Sequence, residues 1–266
     1  MDVKVLVYTD NNQGASEDCV SWAVNALSQC FESIKQKGCC ASYAVERTTA
    51  PQLLDGDWKQ STNLIVMPGG RDLPYVEALA GRGNHMIREF VSSGGSYLGL
   101  CAGGYYGSSE VEFEKDDPVM SVCGARELGF FPGKARGTIL PGFQYENHEG
   151  AHPVLIKTSG PIVPSLDVNV YYNGGCEFVP GPDQPGNLYS VIASYQGLHS
   201  CITGHAIVGC SHGNGRVVLT GVHLEVDVAT VTDLNLTRLI SPIEQTEPSR
   251  KVLFEAIIKY LLGIEK

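Results

Sequence analysis

The stretch Ser96-Tyr97-Leu98-Gly99-Leu100-Cys101-Ala102-Gly103-Gly104 constrains the fold more than any other. An apolar run stops at a turn of small residues, and a lone cysteine stands at the turn. Gly-x-Cys-x-Gly is the thiol counterpart of a nucleophile elbow, in which a strand passes sharply into a helix. Space is so limited there that the residues two before and two after the cysteine must be small. The helix that follows aims its free N–H groups and partial positive charge at the sulfur, which favours the thiolate. A buried cysteine beside a glycine-rich turn is the simpler alternative.

The flanking chain supports an α/β sheet. Val3 to Thr9 reads as a buried strand, rich in β-branched residues. Val20, Ala23, Val24, Leu27 and Phe31 form one helical stripe with Ser16 as N-cap, and Trp22 and Phe31 are expected in its core. Ala41 to Val45 and Asn63 to Met67 read as further strands, Leu53 to Trp58 as a turn region, and Asn84 to Val91 as a short helix ended by Gly94-Gly95. Such alternation predicts a parallel sheet whose ligands sit beyond the C-terminal strand ends. Pro68-Gly69-Gly70 falls at one of those ends, where exposed N–H groups could stabilise an oxyanion.

Past Val111 the pattern changes to short apolar runs between Gly, Pro and Asn. Val119 to Val122, Gly137 to Leu140, His152 to Ile156, Val168 to Tyr172, Leu188 to Tyr195 and Ala206 to Cys210 predict antiparallel strands. Arg216 to Val222 is a buried strand delivering His223-Leu224-Glu225, a polar mobile stretch is expected through Ser249, and a terminal helix carries Leu253, Ala256, Ile257, Tyr260 and Leu261, capped by Gly263. The whole of 1–266 is expected to be one elaborated domain.

Cysteine chemistry needs a base, and the base an orienting partner. Among 7 histidines, His223 ends a strand like the one before Cys101, and Glu225 lies two residues on, on the same side of an extended chain. His148 and His152 lie in loop-rich sequence without such a partner. His199, Cys201, His205, Cys210 and His212 lack the tight pairing of structural zinc sites, and alternation along strands accounts for them as well; no metal or cofactor is expected. Tyr105 and Tyr106 would stack on a ligand or pack the helix after the elbow. A net charge of −10 argues against a nucleic-acid partner, and no apolar run is long enough to span a bilayer. With 9 cysteines at no framework spacing and no signal peptide, a reduced, cytoplasmic setting is expected.

Pro68-Gly69-Gly70, Gly99-Leu100-Cys101-Ala102-Gly103 and His223-Leu224-Glu225 resemble, in order, the signature of the class I glutamine amidotransferase-like superfamily. Val66 to Tyr75, Cys101 to Gly107, Gly124 to Gly133, Tyr172-Asn173-Gly174-Gly175 and Gly221 to Glu225 are similar, closer still, to the amidotransferase-like N-terminal domain of eukaryotic biotin–protein ligase. The resemblance implies a flavodoxin-like parallel sheet flanked by helices, here with an antiparallel β-rich elaboration in the second half. It implies a triad of Cys101 as nucleophile, His223 as base and Glu225 as orienter, with Gly70 and Ala102 N–H groups as the oxyanion hole. It places Gly69, Arg71, Asp72, Tyr75, Tyr105, Arg126 and Glu127 in the substrate pocket.

Tyr105 stands where glutamine-hydrolysing members carry the glutamine that holds the substrate amide, so a substrate other than glutamine is expected. Leu224 stands where they usually carry proline. Ala80 to Asn84 is similar to the start of a ligase adenylate loop but lacks its basic run and tryptophan. The function implied is hydrolysis or acyl transfer at a C–N bond of an amide-type small molecule through a thioester. The alternative is a non-catalytic regulatory or docking domain for a protein partner such as a ligase domain.

Overall fold

The computed structural model describes residues 1–182, 188–198 and 204–264. In chain order the elements are β1 (Asp2–Tyr8), α1 (Glu17–Gln36), β2 (Ser42–Thr48), α2 (Ala50–Asp55), β3 (Leu64–Met67), α3 (Asp72–Leu79), α4 (Arg82–Ser92), β4 (Ser96–Leu100), α5 (Ala102–Gly107), β5 (Ser108–Phe113), β6 (Val122–Ala125), β7 (Phe131–Gly137), β8 (His152–Thr158), β9 (Asp167–Tyr172), β10 (Cys176–Pro180), β11 (Tyr189–Tyr195), β12 (His205–His212), β13 (Gly215–Thr220), α6 (Val228–Asp233) and α7 (Thr237–Leu262).

Nine strands form one sheet in the order β2-β1-β3-β4-β13-β12-β11-β8-β9. Its first five strands pair in parallel, as the strand–helix alternation predicts. The remainder is antiparallel and extends the same sheet rather than standing apart from it. The strands β3 and β4 are buried at every position, the mark of a central sheet covered on both faces. The strands β10-β7-β5-β6 make a second, smaller sheet. One apolar core runs through residues of both sheets, from Val5 and Val66 to Phe131 and Phe178.

One connection matters for function. Tyr171, near the end of β9, bridges His223, whose N–H donates to the Tyr171 carbonyl at 3.0 Å. The far edge of the nine-stranded sheet thus curls back to the segment that leaves its middle.

Several expectations need correction. Leu53–Trp58 is not a plain turn: α2 covers its start, set by the Thr49–Gln52 capping box and a proline in the first turn, and a 3-10 turn follows at Asp57–Gln60. Val119 is exposed on a turn in which Asp117 Oδ1 accepts from the N–H groups of Val119 and Met120, so the strand starts only at Val122. The strand predicted at Gly137–Leu140 lies earlier, at Phe131–Gly137. The polar stretch before Ser249 is helical: α7 begins at Thr237 and runs through Pro242 and Pro248. Tertiary packing overrides the prolines, with Leu239, Ile243 and Arg250 buried and the Thr246 hydroxyl bonded to the Asn169 backbone of β9. Among the described residues, no helix is long and apolar enough to cross a membrane.

Candidate functional site

The elbow is formed. Cys101 has φ 49° and ψ −103°, a backbone region that L residues avoid, and it sits between the end of β4 and the first residue of α5. Its N–H is fixed to Thr220 O at 2.9 Å, which ties the turn to β13. Gly103 has to be glycine because a Cβ there would lie 2.0 Å from Met67 O.

The neighbouring strand delivers the imidazole. His223 and Glu225 are both 3 % exposed, and His223 Nδ1 lies 2.7 Å from Glu225 Oε1. The ring and the Cys101 sulfur line the same cleft, and the sulfur lies 3.8 Å from Asn173 O. Burial alone would strip His223 of its proton. The charges of Glu225 and Cys101 outweigh it and hold the imidazole protonated well above its ordinary range. Buried Arg250, from α7, donates to the Leu224 carbonyl between the two residues and is itself held by Glu247.

The glycine pair approaches from the other side. An isolated antiparallel bridge joins Ala15 to Gly70, using the N–H groups of Ser16 and Arg71. Among the described residues, the N–H groups of Gly70 and of Ala102, which opens α5, have no hydrogen-bond acceptor. A side chain at Gly69 would strike Cys19 Sγ and His223 Cε1, at 2.7 and 2.9 Å from its Cβ.

Above the sulfur lies a cleft of about 550 Å³ that Cys101, Ala102, Gly70 and His223 all line. Of the residues assigned to a pocket from sequence, Arg71, Asp72 and Tyr105 line it too. Arg71 stacks over Tyr145 at 4.2 Å and pairs with Glu146. Tyr105 is buried, and its hydroxyl donates to Gly174 O at 3.1 Å. Gly69 supports the floor, accepting from Ser16 N–H and the Tyr75 hydroxyl.

Tyr75, Arg126 and Glu127 lie behind the cleft, not in it. Tyr75 is fully buried beneath the glycine pair. Buried Arg126 holds Asp72 by Nε at 2.7 Å, while burial pushes the Asp72 carboxyl up against the opposing pull of Arg126. Glu127 accepts from Gly81 N–H and Asn84 Nδ2, so it fastens the start of α4; this is where the Ala80–Asn84 stretch falls.

Other residues enter the cleft without sequence warning. Cys19 lines it, its thiol pushed up to about 12 by burial against the pull of the His223 charge. Trp22 is half-buried: it packs against the apolar cluster of Tyr171, Val226 and Leu239 and also lines the cleft, its ring centroid 6.3 Å from His223 and 5.6 Å from His148. His148 does have partners, contrary to expectation. Its Nδ1 lies 2.9 Å from the Tyr171 hydroxyl and its Nε2 3.4 Å from Asp18. The helical spacing of Cys19 and Trp22 beyond Ser16 was the only available signal for that wall. His152 instead bonds Pro141 O. Tyr106 packs fully buried under α5. His205, Cys210 and His212 lie along β12, and no group able to hold a metal occurs among the described residues, which exclude His199 and Cys201.

Comparison with known proteins agrees with this architecture. The family described as "Biotin-protein ligase, N terminal" matches residues 3–265. A biotin–protein ligase of Schizosaccharomyces pombe is 36% identical over 265 residues, which is 99% of this chain but only 38% of that protein. An uncharacterized protein of Chlamydia muridarum is 29% identical over 98% of this chain and 95% of its own length. Among solved structures, a glutamine amidotransferase from Thermotoga maritima superposes with a TM-score of 0.56 at 13% identity, covering 98% of each chain, a likeness of fold.

Proposed function

The chain belongs to the family of biotin–protein ligase N-terminal domains, and on that premise we propose that it is a cysteine-dependent hydrolase or acyl transferase acting on an amide-type C–N bond. One observation carries the reading: a thiol on a strained elbow that shares the floor of an open cleft with an imidazole that a buried carboxylate keeps charged.

The steps follow from these atoms. Cys101 Sγ, its proton held on His223, attacks the carbonyl carbon. The oxygen of the tetrahedral intermediate takes the unused N–H groups of Gly70 and Ala102, each such donor being worth about 2.7–4 kcal/mol in comparable sites. His223 passes its proton to the departing nitrogen, the C–N bond breaks and a thioester remains. A water that gives its proton to His223 then attacks the thioester, releases the acid and frees the thiol. Glu225 holds the imidazole in place throughout.

Tyr105 supports a substrate other than glutamine. Its hydroxyl proton is committed to Gly174, and it leaves no amide group where glutamine hydrolases keep one. The relative in Schizosaccharomyces pombe adds a partner to the reading, a biotin-ligase domain on the same or another chain, in a cytoplasm that keeps the thiol reduced.

Peptide-resolved alkylation with iodoacetamide tests the proposal. Cys101 is expected to react at pH 7 at least tenfold faster than exposed Cys123, and His223→Ala to remove that advantage. Equal rates at the two cysteines, unchanged in His223→Ala, would leave only a docking role.

A further inference from the structure

Arg71 follows Gly70, a proposed oxyanion donor, and lines the cleft. No other lysine or arginine among the described residues does so. Its main-chain N–H is fixed to Gly14 O at 2.8 Å, while its side chain is 49% exposed. A molecule entering from solvent therefore reaches the guanidinium.

An aromatic ladder sets the plane of that guanidinium. Tyr105, in α5, meets Phe113 edge-on at 5.7 Å, Phe113 meets Phe143 at 5.7 Å and Phe143 meets Tyr145 at 5.0 Å. Arg71 lies over the Tyr145 ring at 4.2 Å, and every member of the series lines the cleft. The wall that leads away from the elbow helix is thus apolar and ends on a cation.

The present partner of Arg71 is a weak one. Nη2 donates to Glu146 Oε1 at 3.1 Å, and the Glu146 side chain is 82% exposed. Exposed pairs of this kind contribute little and exchange readily. Nε–H and Nη1–H have no acceptor among the described residues, which leaves most of a fork that fits a planar carboxylate. The other acidic groups of the cleft are engaged: Glu17 with Arg47, Asp72 with Arg126 and Asp18 with His148. One positive charge is left to be matched, which suits a monoanion.

We propose that Arg71 is a specificity residue that selects amides carrying a carboxylate beyond an apolar spacer. The spacer lies along the aromatic ladder, and the carboxylate displaces Glu146 from the guanidinium. The inference rests on the reading of Cys101 as the attacking sulfur.

Charged and neutral alkylating probes of matched size test it. Iodoacetyl-glycine, iodoacetyl-γ-aminobutyrate and iodoacetyl-ε-aminocaproate hold a carboxylate at three distances from the sulfur, and their carboxamides are the neutral controls. Each acid-to-amide rate ratio at Cys101 is divided by the same ratio for mercaptoethanol, which removes intrinsic reactivity. At low ionic strength the wild-type protein is expected to favour at least one acid by about tenfold or more. Arg71→Gln is expected to abolish the preference by slowing the acids, and Glu146→Gln, which removes the competing carboxylate, to increase it. Arg82→Gln removes an exposed charge that does not line the cleft and is expected to leave the preference as it was. No preference at any of the three lengths, or one that survives Arg71→Gln, would overturn the role of Arg71 while a Cys101 faster than Cys123 upheld the catalytic reading. Acids and amides slowed by the same factor in both cleft variants would overturn it too, leaving the pair as a tether for the loop. A Cys101 no faster than Cys123 with the neutral probes would bring down both readings. Should Arg71→Gln fail to fold, the wild-type ratio and its rise in Glu146→Gln decide.

Discussion

The two walls of the cleft are built differently. On the parallel side, Cys101, His223 and Glu225 come from the ends of adjacent strands, are nearly inaccessible to water and are held by the main-chain register of β4 and β13. On the antiparallel side, Tyr171 and His148 come from β9 and the loop before β8, and their hydrogen bonds end on Asp18, whose side chain is 60% exposed. Cys101, His223 and Glu225 sit where strand pairing fixes the backbone, whereas the His148 ring, on a loop, is held by its side-chain contacts to Tyr171 and Asp18. The first wall is therefore bound to keep its geometry while the loop wall is free to vary.

The contrast predicts a graded set of effects. The largest belongs to Glu225→Gln. It leaves a buried imidazolium without its partner, and breaking a buried pair in this way costs about 3–5 kcal/mol. Because the value of His223 is raised by folding, the stability it contributes is fully present below its unfolded value of about 6.5 and fades as pH rises through the folded one. Urea unfolding is therefore expected to separate wild type from Glu225→Gln most widely near pH 6, with the gap closing in alkali. A gap independent of pH would show that the carboxylate does not hold the ring charged.

Next comes Gly103→Ala, which forces a methyl group against Met67 O and is expected to cost about 1–3 kcal/mol in unfolding free energy. The smallest is His148→Gln on the other wall. With 26% of its side chain exposed, its loss is expected to change stability by no more than about 0.5 kcal/mol in urea unfolding. A large stability loss in His148→Gln would erase the distinction between the two walls.

The parallel half was legible because each of its signals is local. An apolar run, a glycine pair and a Gly-x-Cys-x-Gly turn each dictate backbone geometry within a few residues, so Cys101, Gly70 and Ala102 could be placed before any tertiary contact was known. The other wall was not legible. Trp22 has the spacing of a core residue, and only the return of β9 to the middle of the sheet turns its face into a cleft wall. His148 has no suitable partner within its own stretch: Asp18 is 130 residues away and Tyr171 is 23. Arg126 and Glu127, inside the shared Gly124–Gly133 motif, are a buried counter-charge and a helix fastening, roles that depend on Asp72 and Gly81. Similarly, the stretch through Ser249 reads as polar and mobile, yet it is the first part of α7, which brings Arg250 to the carbonyl between His223 and Glu225.

Sequence alone thus determined the elbow, the strand–helix alternation of the parallel half and the chemical types available at the strand ends, since short-range sterics and hydrogen bonding act along the chain. Tertiary structure decided which distant groups share a cleft and which prolines a helix can absorb. Those outcomes depend on burial, and burial is a property of the whole chain folded upon itself.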